Sequence, residues 1–412
     1  MIRVLWADDQ QDVIKTLSGL LTPLNPRIVR VKSGIEALRM LKADYFDILI
    51  LDLMMPPNTW GGLWLLEEIR SAQIRVPVIV LSGEGAQDET IKALRLGAKD
   101  YVTKDKVQEE LVQRVHTILE DFTRETESYV TTCFPTPLAI PYRRYLNATA
   151  PVTQLRRLIE FYESALRLSC IIGICELWIS PGEKSGPLQW ISPLIRGPSM
   201  GTWNQIRHAL ARQLHQDTVF FSLQTSFDNK ATDSMIQLRN DIAHGAEPSR
   251  RVAEKCLGDW RPQLHELISK LWRNLGVRIF LPLSLHFDGT EFQIQGHAVK
   301  GDSVALPKLT VTATKPIICD RPYLISEERG EGGWVSLFPF ICVESAVEPD
   351  TWQVLIFDGL RVNRTAQALT GEEPICYIDP WSGQRNVIPA SNPRSKMLPE
   401  FMTREVTQRR LA

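Results

Sequence analysis

The stretch DILILDLMMP, residues 47–56, holds four apolar residues between two aspartates. A strand-length run with no polar alternation is what a parallel strand buried on both faces requires, so these residues read as a central strand ending at Asp52. Reading outward, RVLWA (3–7), IVRV (28–31), VPVIVLS (76–82) and KDYVTK (99–104) are runs of the same kind. Between them QDVIKTLSGLL, SGIEALRMLKA, GGLWLLEEIRS, DETIKALRLGA and VQEELVQRVHTILEDF carry helical spacing. Five strand-then-helix units in residues 1–122 predict a doubly wound α/β domain on a five-stranded parallel sheet.

The rhythm then changes. Pro135, Pro137 and Pro141 punctuate FPTPLAIPYRRYL, so residues 123–150 read as a semi-extended linker. Helical periodicity returns over 151–276, in TQLRRLIEFYESALRLSCIIGICELW, GTWNQIRHALARQLHQ, ATDSMIQLRNDIAHG and SRRVAEKCLGDWRPQLHELISKLWRNL, and predicts an all-α bundle. From Val277 to about 390, short β-rich runs with DG turns, RIFLPLSLHF-DG-TEFQIQG and TWQVLIF-DG-LRV, read as hairpins of a small, mainly β domain. Residues 391–412 form a polar tail expected to be flexible.

With 47 basic and 48 acidic residues the chain carries no net field to draw it to nucleic acid or membrane. The seven cysteines include no C-x-x-C pair, and an odd count suits a reducing compartment. No apolar run approaches the ~18 residues of a membrane span, and the first residues, MIRVLWADDQ, carry acids where a secretion signal is apolar. The expectation is a cytoplasmic protein without a membrane partner.

Asp8 and Asp9 follow the first predicted strand and Asp52 ends the third, so three acids gather at the carboxyl edge, where open α/β sheets bind ligands. Carboxylates converging there repel one another unless a cation sits among them, and an oxygen-only site suits Mg²⁺. Ser82 ends the fourth strand and Lys104 the fifth. Acids, an alcohol and an ammonium are a set for phosphoryl transfer, in which a carboxylate attacks and the ammonium and metal neutralise phosphoryl oxygens. Any one of these acids alone reads equally well as a helix cap.

These residues carry a resemblance. WADDQ, LILDLMMP, VIVLSG and GAKDYVTK make residues 1–122 similar to the receiver domain of bacterial response regulators, with its flavodoxin-like fold. The resemblance implies that Asp52 is the phosphoacceptor of a cognate histidine kinase and that Asp8, Asp9, Asp52 and Met54 hold Mg²⁺. It also implies that Lys104 contacts the phosphate while Ser82 and Tyr101 relay the change. The sequence departs from that family twice. Asp105 follows Lys104 where a proline is usual, and MMPPNTWGG holds extra residues around Trp60, expected to cover the mouth of the site in part.

In QLRNDIAHGAEP, Asn240 and His244 share a helix face, whereas Arg239 and His244 stand ~140° apart. Taken alone, the segment reads as an ion-pairing arginine and a glycine-terminated helix end. It also resembles the HEPN family of helical domains, whose RNA-cleaving members place an Arg, a following polar residue and a His in a site shared across a homodimer. That likeness implies a metal-independent ribonuclease using Arg239, Asn240 and His244. Arg207, His208 and Arg212 read as a solvated face, with RNA backbone binding as the alternative. His286 and His297 are isolated strand histidines.

Two functions stand at this point. One is a phosphorylation-controlled effector that cleaves RNA as a homodimer; the other is a non-catalytic adaptor whose helical and β regions bind a protein partner. No basic recognition helix is present, so specific DNA binding is not expected.

Overall fold

The computed structural model describes residues 2–83, 87–179, 197–245, 247–326, 334–360 and 375–388. The chain divides into two compact units, residues 1–128 and 129–412.

In the first unit β1 (Ile2–Ala7), β2 (Pro26–Val31), β3 (Ile48–Asp52), β4 (Val78–Ser82) and β5 (Asp100–Thr103) form one sheet in the order β2-β1-β3-β4-β5. Every pair is parallel, as the unalternating apolar runs required. Successive strand residues point to opposite faces, and both faces are buried. Leu5, Leu49, Leu51 and Val80 join residues of α2 (Gly34–Ala43) and α3 (Gly61–Ser71). Val4, Trp6, Ile50 and Ile79 join Ile14 of α1 (Gln11–Ser18) and Leu111 of α5 (Val107–Cys133). The fifth helix, α4, spans Gln87–Arg95. Because the strands are parallel and separated by crossover helices, the residues ending β1, β3, β4 and β5 share one edge of the sheet.

The second unit contains α6 (Thr136–Leu146), α7 (Pro151–Ile179), α8 (Met200–Ala211), α9 (Val219–Gln224), α10 (Asn229–His244) and α11 (Arg250–Asn274). Two antiparallel sheets follow. One has the order β10-β9-β6-β7-β8, from β6 (Val277–Phe287), β7 (Phe292–Ala298), β8 (Lys308–Ala313), β9 (Tyr323–Ser326) and β10 (Val335–Ser336). The other runs β11-β12-β13-β14, from β11 (Ile341–Ser345), β12 (Trp352–Leu360), β13 (Ile375–Ile378) and β14 (Arg385–Ile388). One apolar cluster extends from Val130 through the helices to Ile279, Leu324, Val354 and Tyr377. Helices and strands therefore share a core across residue 276. Buried Arg167 of α7 sits 3.0 Å from buried Asp358 of β12, which also pairs with Arg385 of β14 at 2.6 Å.

Two expectations are corrected. Residues 123–150 are not semi-extended: α5 runs on to Cys133 and α6 spans Thr136–Leu146. Pro135 lies just outside α6 and Pro137 in its first turn, where a missing N–H costs nothing, and only Pro141 sits inside. Burial of Leu138, Ala139, Ile140 and Tyr142 outweighs that one lost bond. The second DG pair is not a hairpin turn either. Asp288 does turn β6 into β7, its carboxylate accepting from the backbone N–H groups of Thr290 and Glu291. Asp358 and Gly359 instead lie within β12 at a bulge opposite β13, because Asp358 is drawn inward by its two arginines. The tail 391–412 lies outside the described residues. Among the described residues no helix is long and apolar enough to cross a membrane.

Candidate functional site

Asp8 follows β1 directly and is fully buried; Asp52 ends β3 and is 3% exposed; Asp9 is exposed. One carboxylate oxygen from each of the three lies within 4.8 Å of the others. Lys104, in the turn after β5, reaches into this group from across the sheet edge. Its Nζ donates to Asp52 Oδ2 at 2.9 Å and stands 3.9 Å from Asp8 Oδ2. The Gln10 amide donates to Asp8 Oδ1 at 2.8 Å, and the Met54 amide to Asp52 Oδ1 at 3.4 Å.

The electrostatics follow from this crowding. Burial pushes the Asp8 carboxyl from 3.8 up to about 6, with the charge of Asp52 adding to it, against the opposing Gln10 hydrogen bond and the Lys104 charge. Among the described residues, two buried acids and one exposed acid thus face a single ammonium. That imbalance, and a donor set made only of oxygen, fits a hard divalent cation such as Mg²⁺.

The loop after β3 is built around this edge. The Gly61 amide donates to Met55 O and the Gly62 amide to Leu53 O. A Cβ on Gly62 would stand 2.5 Å from Asp52 O, so only glycine lets α3 start this close to the strand end. The backbone N–H of Gly34, the first residue of α2, donates to Pro56 O, tying the same loop to α2. Trp60, expected near the mouth, packs partly buried against the apolar cluster of α2 and α3. The absence of proline after Lys104 does not keep its ammonium from Asp52. Tyr101 lies on β5 and is 39% exposed. Ser82 ends β4, and its side chain lies outside the described residues.

The three residues singled out in α10 lie in its last two turns. Arg239 and Asn240 are half-buried, with Arg239 Nη1 donating to Asn240 Oδ1 at 3.4 Å, whereas His244 is exposed at the last helical position. Arg207, read as part of a solvated face, is buried instead. It donates to Asn204 Oδ1 at 3.0 Å and Asn229 Oδ1 at 2.7 Å, and Asn204 in turn donates to Asp233. Its helical spacing beside Trp203 and Ile206 carried that signal, since an arginine within an apolar arc is held by partners from other helices. His208 is half-buried next to it, and burial with the Arg207 charge lowers its pKa. Arg212 is exposed. His297 bonds Leu306 O at 2.8 Å through Nδ1, and His286 lies exposed on β6.

A five-stranded parallel sheet of this order, with an acid triad and a lysine at its carboxyl edge, defines a receiver. Residues 4–116 match the response regulator receiver domain family and form such a domain. The response regulator SaeR of Staphylococcus aureus is 34% identical over 119 residues, which are 29% of this chain and 51% of that protein. The chain thus spans about half the length of the curated relatives it matches. Among solved structures, the receiver domain of Francisella response regulator 1452 is 29% identical, with a TM-score of 0.28, covering 29% of this chain and 98% of that one. The receiver domain of the Pseudomonas aeruginosa sensor histidine kinase PA1611, described with a magnesium ion coordinated in its active site cleft, is 25% identical with a TM-score of 0.27. It matches over 29% of this chain and 98% of its own.

Proposed function

We propose that this chain is a response regulator in which Asp52 takes a phosphoryl group from a histidine kinase and residues 129–412 carry the output. The observation that carries the reading is the contact of Lys104 with Asp52 inside the triad of acids. An Asp52 oxygen attacks phosphorus; as the new P–O bond forms, the P–N bond of the phosphohistidine breaks and its electron pair returns to the imidazole. Lys104 moves from the carboxylate to a phosphoryl oxygen, and Ser82 and Tyr101 relay the change. Mg²⁺ would be held by Asp8, Asp9, Asp52 and Met54, the last through its backbone carbonyl, its one hard donor. When bound, the ion neutralises phosphoryl charge. The reading places the protein in the cytoplasm, where its seven free cysteines stay reduced. Acetyl phosphate with Mg²⁺ is expected to label the wild type and not Asp52→Asn. Labelling that survives in that variant, or survives chelation, overturns the assignment.

For the output, the HEPN-type reading needs two copies of the chain. With Arg239 half-buried and His244 exposed, a homodimer whose two copies of Arg239, Asn240 and His244 face one shared cleft is the arrangement that surrounds an RNA phosphate. His244 exchanges the proton of the 2′-OH or leaving oxygen, and Arg239 offsets phosphorane charge. The exposure of His244 at the helix end, where its side chain makes no hydrogen bond or ion pair among the described residues, supports a second reading, the adaptor, in which this helix end is structural. Single-stranded RNA in EDTA separates the two. Cleavage by the wild type that is lost in His244→Ala supports the nuclease. Intact RNA with phosphorylated and unphosphorylated protein alike, or cleavage undiminished in the variant, leaves the adaptor.

A further inference from the structure

A cavity of the first unit opens at the sheet edge opposite Asp52. It has a volume of about 240 Å³ and lies where β4 begins at Val78 and where Lys99 precedes β5. Its floor is apolar, made by Leu66, Ile69, Ile74 and Val78, all buried. Phe122 and Glu125 of α5 close one side.

The rim carries the opposite chemistry. Arg75 lies over the Phe122 ring at 4.9 Å, and Lys99 Nζ donates to both Glu125 oxygens at 2.8 Å. Arg70 is exposed, and its side chain makes no hydrogen bond or ion pair among the described residues. Three cations therefore surround a cavity holding one carboxylate, and one of the three is unspent. A neutral apolar guest would leave Arg70 unanswered, and an inorganic anion would leave the apolar floor wet. A guest with a carboxylate head and a short apolar tail satisfies both. The volume falls below the ~300–1,000 Å³ of sites for drug-sized ligands, which limits the tail to a few carbons.

We propose that this cavity binds a short-chain monocarboxylate, its head on Arg70 and Lys99 and its tail on the Ile69–Ile74 floor. Because Phe122 and Glu125 form one wall, occupancy holds this part of α5 against α3 and β4. The site stands apart from the phosphorylation edge, since parallel strands place their first and last residues at opposite edges of the sheet.

Hexanoate is the probe, titrated into the full chain while amide hydrogen exchange is followed by mass spectrometry. Saturable protection is expected in peptides covering 66–78 and 119–125. Acetate, which lacks four methylenes of the tail, is expected to bind about a hundredfold more weakly, and 1-hexanol, which lacks the charge, about tenfold more weakly. Arg70→Gln, an exposed change that leaves the fold intact, is expected to raise the dissociation constant about tenfold. Leu96→Trp, which fills the cavity from its half-buried side, should remove binding. No saturable protection in the wild type, hexanol binding as tightly as hexanoate, or an unchanged affinity in Arg70→Gln overturns the proposal.

Discussion

Asp8→Asn should make the metal-free protein more stable. The substitution keeps the shape of the side chain and removes its charge. In the fold the Asp8 carboxyl titrates at about 6 instead of 3.8, chiefly because it is buried. A raised carboxyl pKa means the folded state holds its proton more tightly than the unfolded state. The penalty is therefore absent below pH ~4, develops as pH rises from 3.8 towards 6, and is complete above that. Two pH units at ~1.36 kcal/mol each make the ionised group cost the fold about 3 kcal/mol at neutrality. Amide exchange in peptides covering β1 and β3, measured on the full chain in EDTA, reads this locally. At pH 7.5 Asp8→Asn should gain about 2–3 kcal/mol over the wild type, with the gap closing near pH 4. Saturating Mg²⁺ should then stabilise the wild type and not the variant. A variant no more stable than the wild type at pH 7.5, or a gap that does not change with pH, refutes the reasoning.

Three further outcomes are expected. Lys104→Ala should still accept a phosphoryl group from acetyl phosphate, since Asp52 remains, yet lose any phosphorylation-dependent change in protease sensitivity; a variant that still switches removes Lys104 from the relay. Gly62→Ala places a Cβ 2.5 Å from Asp52 O and 2.7 Å from Leu53 Cα, and should cost about 1–3 kcal/mol in urea unfolding as well as slow the labelling of Asp52. Arg207→Met strips the donors from Asn204 and Asn229 inside the second unit and should cost about 3 kcal/mol, seen as a lower urea midpoint without loss of Asp52 labelling.

The receiver was legible because its signals are local. An unalternating apolar run ending in Asp52, repeated with helices between, fixes a parallel sheet and therefore which residues share its edge. The Asp8–Lys104 approach needed no alignment beyond that topology. What sequence could not supply came from distant partners. The prolines of α6 look like breakers until the core buries Ile140 and Tyr142 around them, and Arg207 looks solvated until α9 and α10 enclose it. The DG pair at 358–359 has the composition of a turn. Arg167, 191 positions earlier by number, makes it a bulge within a strand. Likewise Lys99, which joins Arg70 and Arg75 around Ile74, comes from a stretch 24 positions further on that no spacing rule connects to them.

The ion pair between Arg167 and Asp358, and the core around it, also set a timetable for synthesis. Chains emerge at ~5–20 residues per second. About 180 residues separate the end of α7 at Ile179 from the end of β12 at Leu360. The longest helix of the second unit therefore waits roughly 10–35 s on the ribosome before its sheet partner exists. Until β12 emerges Arg167 has no Asp358, and the apolar cluster that holds Leu166, Ile171 and Ile174 lacks Val354, Ile356 and Phe357. The first unit, whose contacts close within its opening 128 residues, can be complete and competent for phosphorylation before the second has begun to fold. The order of birth of the two units then matches the direction of the proposed signal, from acceptor to output.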